Sequence, residues 1–449
     1  MRFRHAITRR GALAAACAAT LLAAAPGAFA GPRAAPEPII FVHGNGDSPA
    51  TWVYSMWRWE SNGYPRDRLF AVNLSYPTAP FMEDLPQKGT STTAEAEAQL
   101  SDYVADVLRR TGAKTVSFVG NSRGANTIRN FVKNGGGAAV TSHVVLGGGV
   151  NHGAFNWGAL LDSAEFNGGG RFMTQLNAGP NEVVDGVDFL TMRSDRFDKY
   201  AQPNGRFLVG DPNVPTFISY DAPELKGATN LVFPGIDHRQ SAMGPRAFRA
   251  TFGFITGGKA KQDDVRMEAR PRLDGIVTGL TAGLYDNLPV QGAKLKVYKV
   301  DRRTGGRLGG PVHQVTTRAD GRWGPFVADP RSFYEFELDV PGQPMTHIYR
   351  SPFPRGSNYV YLRPAEVVEQ PDDGSVVILS RPSGYFGIED VVLFDGERPA
   401  FSRDPVPNVV AIMVRTPFDA DSHVARFRDQ PIALRNWPKD HVAIAEFND

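Results

Sequence analysis

Two hydrophobic patterns divide the chain. Up to about residue 258, short continuous apolar runs alternate with stretches whose apolar residues recur at helical spacing. The runs PIIFV (38–42), RLFAVNL (68–74), Val116 to Val119, Val144 to Leu146, VDFLTMR (187–193) and NLVFP (230–234) read as strands apolar on both faces. Such strands belong to a mainly parallel sheet covered on both sides by helices. Leu100, Tyr103, Val104, Val107 and Leu108 share one helical face, opened by a Thr92-x-x-Glu95 capping box and stopped by Gly112. Trp52, Met56, Trp57 and Trp59 form an aromatic helical stretch. It reads as ordinary core, with a lipid-contacting rim as the alternative.

Residues 259–271 are polar and Gly/Lys-rich, a predicted linker. Beyond it the pattern switches to short alternating runs at 275–279, 293–300, 313–318, 333–340 and 359–362, with Ala319-Asp320-Gly321 as a turn. That predicts an antiparallel β-sandwich over 272–370. The runs VVILS, DVVLF, VVAIMV and HVAIAEF carry β-character through 371–449, either extending the sandwich or forming a third small domain.

Residues 1–30 change the charge and compartment. They read as an export signal: a basic start, an alanine-rich run from Gly11 to Ala25 and a small-x-small site at Ala28-Phe29-Ala30, with Arg9-Arg10 resembling a twin-arginine motif. Lipidation at Cys17 is the weaker alternative. Of 49 basic and 47 acidic residues, four arginines lie in this leader, so the remainder balances at 45 against 47 and gives no electrostatic case for nucleic-acid binding. Cys17 is the single cysteine, so cleavage leaves no disulfide or thiol chemistry. No other apolar run is long enough to span a bilayer, and the expected location is secreted or periplasmic.

The candidate chemistry centres on Lys114 to Phe131. The strand ending at Val119 runs into Gly120-Asn121-Ser122-Arg123-Gly124 and then a helix carrying Ala125, Ile128, Phe131 and Val132 on one face. A G-x-S-x-G between strand and helix holds a serine hydroxyl clear of the sheet, making Ser122 a candidate nucleophile. After PIIFV, His43-Gly44-Asn45-Gly46 has the layout of an oxyanion loop, with backbone N–H groups of Asn45 and Arg123 as donors. A serine needs a base, and His238, following the strand NLVFP in Gly235-Ile236-Asp237-His238, is the histidine placed after a late strand. The acid is Asp198 or Asp195 in Ser194-Asp195-Arg196-Phe197-Asp198, with Asp221 and Asp237 as remoter options. Residues 151–186 form a long Gly/Asn-rich insertion, read as a lid or as an extra packed helix pair. His152 within it reads as a local hydrogen-bonding residue. No zinc or EF-hand spacing is present and no cofactor is expected, with structural calcium left open.

In that order, FVHGNG, GNSRG, the SDRFD turn and PGIDH resemble the class 2 secreted bacterial lipases of the α/β-hydrolase fold, over about residues 36–258. The resemblance implies a Ser122-His238-Asp198 triad, an oxyanion hole from Asn45 and Arg123, and a lipid or ester substrate. Asn121 stands where that family often has His, and Arg123 where it often has Met or Gln, which would set charge near the acyl pocket. PVQGAKLKVYKVD, DGRWGPF and YRSPFPR resemble the C-terminal β-domain of some long-chain archaeal and bacterial lipases. A polyester depolymerase, a peptidase or amidase, and an inactive surface-binding protein are the competing readings.

Overall fold

The computed structural model describes residues 35–369 and 372–448, so the leader and Cys17 lie outside the described residues. Six strands, β1 (Ile39–Val42), β2 (Leu69–Ala71), β3 (Val116–Asn121), β4 (Thr141–Gly147), β5 (Asp188–Arg193) and β6 (Thr229–Val232), form one sheet in the order β2-β1-β3-β4-β5-β6. All five pairings are parallel. Alternate residues feed two cores, which is why the strands read as continuous apolar runs. Ile40, Val42, Phe118, Val144 and Leu146 pack on one side against α2 (Thr93–Thr111) and α3 (Arg123–Lys133). Ile39, Phe41, Val119 and Val145 pack on the other against α1 (Val53–Ser61) and a C-terminal helix, Pro245–Thr256. The expected α/β-hydrolase sheet is present. The Thr92/Glu95 capping box forms in full, and Gly112 ends α2 at φ 66°.

Trp52, Trp57 and Trp59 are all buried, which removes the lipid-rim reading of that stretch. Trp59 faces the sheet, while Trp57 turns the opposite way into the β-rich half, its indole N–H donating to Gly356 O at 2.9 Å. Burying a side chain of that size is worth on the order of 3 kcal/mol, so α1 joins the two halves of the molecule. The segment expected as a linker is fastened along the same helix. The Lys261 and Gln262 N–H groups donate to Asn62 Oδ1 at 2.7 and 3.2 Å, and Glu268 takes ion pairs from Arg66 at 2.6 Å and Arg355 at 3.1 Å.

The β-rich half is dominated by a seven-stranded sheet of β7 (Lys294–Val300), β8 (His313–Thr316), β9 (Phe333–Asp339), β10 (Met345–Arg350), β11 (Gly374–Ser380), β12 (Ala411–Pro417) and β13 (His441–Glu446). Its order is β8-β7-β9-β10-β13-β11-β12. Strand runs from before and after residue 370 thus share one sheet, which VVILS, VVAIMV and HVAIAEF extend, whereas DVVLF belongs to a separate three-stranded sheet of Val392–Phe394, Ser422–Phe427 and Gln430–Arg435. Within 272–370 the strands of this sheet pair antiparallel, as their alternation predicts, and parallel pairing enters with β13, which runs parallel to both β10 and β11. Parallel neighbours need long connections, which local alternation does not reveal. The run at 359–362 is not a strand either. It bridges Val277 only through Leu362, and Val360 O is taken by the Trp323 indole N–H at 2.8 Å. Residues 36–449 cluster as one compact unit.

Candidate active site

Ser122 sits between β3 and α3 with φ 55° and ψ −123°, a conformation that non-glycine residues rarely adopt. The turn is tight because strand and helix cross closely. A Cβ at Gly124 would lie 2.4 Å from Val42 O, and one at Gly120 would lie 2.5 Å from Ile128 Cδ1. The pentapeptide glycines are therefore steric requirements of the elbow.

His238 follows β6 and is buried. Its Nδ1 lies 2.9 Å from each carboxylate oxygen of Asp198, itself buried, and Asp198 Oδ1 also accepts the Tyr200 N–H at 2.8 Å. A carboxylate on Nδ1 holds the proton there and leaves Nε2 as the basic nitrogen. Nε2 is buried without a hydrogen-bond partner among the described residues. The other candidate acids are placed differently. Asp195 Oδ1 accepts the N–H groups of Phe197 and Gly235, each at 3.3 Å, and braces the two loops. Asp221 pairs with Arg193 at 2.9 Å, and Asp237 pairs with Arg381 at 3.3 Å.

Ser122, His238 and Asn45 line a common cavity of about 100 Å³. Val150, Ala154, Phe155, Phe166 and Leu208 supply its apolar wall. Asn45 Oδ1 accepts the Ala79 N–H at 2.8 Å, orienting its loop. Arg123 is the first residue of α3, where a backbone N–H has no partner within the helix. Its side chain departs from expectation. It is buried, with Nε on Glu165 Oε2 at 2.7 Å and Nη1 on Pro77 O at 3.0 Å. It therefore brings no charge to the cavity that Ser122 lines: the elbow aims residue 123 behind Ser122, where Glu165 meets it. Burial pushes the Glu165 carboxyl up, and the adjacent guanidinium pulls it back.

Glu165 belongs to the 151–186 insertion, so this ion pair ties the insertion to α3. The insertion is turn-rich with one short helix, Arg171–Leu176, in place of the alternative helix pair, and it contributes Phe155 and Phe166 to the cavity. His152 is a hydrogen-bonding residue, but its partners are distant in sequence: Nε2 lies 2.8 Å from Glu182 Oε1 and Nδ1 2.5 Å from Ala222 O. His43 is buried, and burial lowers its pKa to about 4, leaving a neutral ring under the Asn45 loop.

Sequence reading missed the β-rich half's part in the site. Arg363 donates to Gly46 O at 3.0 Å and Asp47 O at 3.1 Å, and Asn287 Nδ2 donates to Asp47 O at 3.0 Å, bracing the Asn45 loop from behind. Tyr385 lines the cavity of Ser122 and His238 beside Tyr200. No local pattern marks these residues, since their partners lie hundreds of positions away. Glu335, Glu337 and His347 come close enough to suggest a cation site, but Arg307 lies 2.6 Å from both carboxylates and already supplies the positive charge.

Residues 36–185 match the family model described as "Lipase (class 2)" and residues 271–367 that described as "Lipase C-terminal domain". Among solved structures, the chain is similar to the mature form of Bacillus licheniformis lipase BlEst2, with 20% identity, 50% of this chain and 94% of that one covered, and a TM-score of 0.37. It is also similar to the Bacillus subtilis carboxylesterase CesB, with 18% identity, 51% and 86% coverage and a TM-score of 0.28. Phospholipase PlaB of Legionella pneumophila matches at 10% identity with 91% and 93% coverage and a TM-score of 0.34. No helix of the described residues is long and apolar enough to cross a membrane.

Proposed function

We propose that this chain, whose residues 36–185 match the class 2 lipase model and residues 271–367 the lipase C-terminal model, is a hydrolase acting on esters in which Ser122, His238 and Asp198 carry the reaction through an acyl-enzyme. The observation that carries this reading is the His238 ring, tied at Nδ1 to Asp198 and bare at the Nε2 that shares a cavity with Ser122.

His238 Nε2 takes the Ser122 proton as Oγ attacks the ester carbonyl carbon. Backbone N–H groups of Asn45 and Arg123 hold the oxyanion, and Asp198 offsets the imidazolium charge. Collapse of the tetrahedral species expels the alcohol, which leaves with the proton from His238. Water then repeats the attack on the acyl-enzyme, with His238 again as base. Nε2 makes no hydrogen bond to Ser122 here, which suits a contact that tightens when substrate fills the cavity.

The cavity's small volume and apolar wall support a compact acyl group in this arrangement, with longer chains requiring the insertion around Phe155 and Phe166 to yield. Residues 1–30 are proposed as an export leader, which N-terminal sequencing of the secreted protein would test by a start at Gly31. The function is tested with p-nitrophenyl esters from acetyl to palmitoyl. Turnover is expected, and Ser122→Ala should lose several orders of magnitude in kcat while remaining folded. Full activity in that variant, or no turnover of any ester, would overturn the reading. Clearing of polyester film without turnover of the small esters would favour a depolymerase.

A further inference from the structure

The segment 380–386 lies beyond both family-matched regions, yet it reaches the catalytic histidine's loop. Asp237, the residue before His238, is almost wholly buried, and each of its carboxylate oxygens is engaged. Oδ1 accepts the N–H groups of Arg239 and Gln240 at 2.8 Å each. Oδ2 accepts the Tyr385 N–H at 3.0 Å and Arg381 Nη1 at 3.3 Å. Arg381 is equally buried, also donates to Tyr385 O, and lies over the Phe427 ring at 4.8 Å. Arg239 donates to Pro382 O at 2.8 Å, giving the same segment a second hold on the loop. A buried ion pair adds little net stability, so its place beside a base points to a role in the site.

We infer that Arg381 is a positioning residue for the reaction: through Asp237 it fixes the His238 loop and balances the charge beside the base. The inference rests on the triad reading above. The groups facing His238 from the surrounding elements are Asp198, Lys199 and Tyr200 from the turn after β5, Asp47 from the oxyanion loop, Arg239 from its own loop, and Arg381 and Tyr385 from the β-rich half. Tyr200 and Tyr385 pack on the ring at centroid distances of 4.6 and 6.4 Å, and Lys199 lies over both phenols. Asp47 pairs with Arg239. On its far side, Arg381 has Asp390 at 4.0 Å, which Arg428 engages at 2.9 Å. Around the imidazole, Asp47, Asp198 and Asp237 are thus matched by Arg239, Arg381 and Lys199. Burial lowers the Lys199 ammonium to about 8.

Removing either member of the Asp237–Arg381 pair tips this balance in opposite directions. Without Arg381, the buried Asp237 carboxylate stabilises the imidazolium and raises the pH at which His238 becomes a base. Without the Asp237 charge, Arg381 does the reverse.

The test is the pH dependence of kcat/KM in the full-length protein. In Arg381→Gln the acid limb should move up by about one pH unit, and in Asp237→Asn it should move down by a similar amount. Arg381→Gln/Asp237→Asn should return it toward wild type, and Arg381→Lys should keep the wild-type limb. kcat should fall more than KM rises. Acid limbs that stay in place, or that move the same way in both single variants, would overturn the inference while leaving the triad intact. So would loss of folding in all the variants, which would make the pair structural only. Activity surviving in Ser122→Ala would instead strike the triad itself.

Discussion

Exchanging the two candidate acids for amides should separate a catalytic carboxylate from a structural one. Both oxygens of Asp198 stand 2.9 Å from His238 Nδ1. In Asp198→Asn the amide presents one donor and one acceptor to that nitrogen and no charge, so the tautomer with Nε2 basic loses its preference and the imidazolium its counter-ion. The cost expected of that change is about 10⁴ in kcat, or roughly 5.5 kcal/mol at 1.36 kcal/mol per decade. Asp195 accepts longer contacts from the Phe197 and Gly235 N–H groups, at 3.3 Å each, and from the Ser194 hydroxyl at 3.2 Å, and bonds none of the ring's atoms. Asp195→Asn keeps an oxygen for those N–H groups, so its effect should be about 1 kcal/mol of stability with kcat within a few-fold of wild type. Steady-state hydrolysis of p-nitrophenyl butyrate, with urea unfolding of each variant, reads both quantities. The reasoning is refuted if Asp195→Asn loses more kcat than Asp198→Asn, or if Asp198→Asn stays within ten-fold of wild type while folded.

Two further outcomes follow from buried charge. Glu165→Leu strands the Arg123 guanidinium in the interior and should cost about 3–5 kcal/mol, with Arg123→Leu/Glu165→Leu recovering much of it. Urea midpoints of the three proteins check this, and a single variant as stable as wild type would contradict the ion pair. Burial alone would raise the Glu37 carboxyl, but hydrogen bonds from His143, Ser117, Ser142 and Thr115 outweigh it and lower its pKa from 4.5 to about 2. A depressed folded-state value means that its stabilisation is present above about 4.5 and is lost as pH falls toward 2. The stability gap between wild type and Glu37→Gln should therefore narrow between pH 5 and pH 2, and a constant gap would refute the assignment.

What sequence made legible was local. The strand, elbow and helix around Ser122 and the cap at Thr92 each depend on neighbours a few positions away, and each appears in the structure where its pattern put it. The choice between Asp195 and Asp198 stayed open because both lie in one turn, and three residues of loop decide which carboxylate faces His238. Arg123 was misplaced because its partner, Glu165, sits in an insertion with no periodic pattern. The participation of Arg363, Tyr385 and Arg381 was invisible for a similar reason. Strands that alternate locally give no sign that β13 enters between β10 and β11 and joins strands from before and after residue 370 in one seven-stranded sheet.

The central claim is that Ser122 is the nucleophile, and covalent labelling tests it most directly. Incubating the protein with a fluorophosphonate probe and mapping the adduct by peptide mass spectrometry should place one phosphonyl group on the peptide containing Ser122. Labelling should vanish in Ser122→Ala and slow strongly in His238→Ala. An adduct on another residue, or ester turnover by a protein that the probe never labels, would contradict the account.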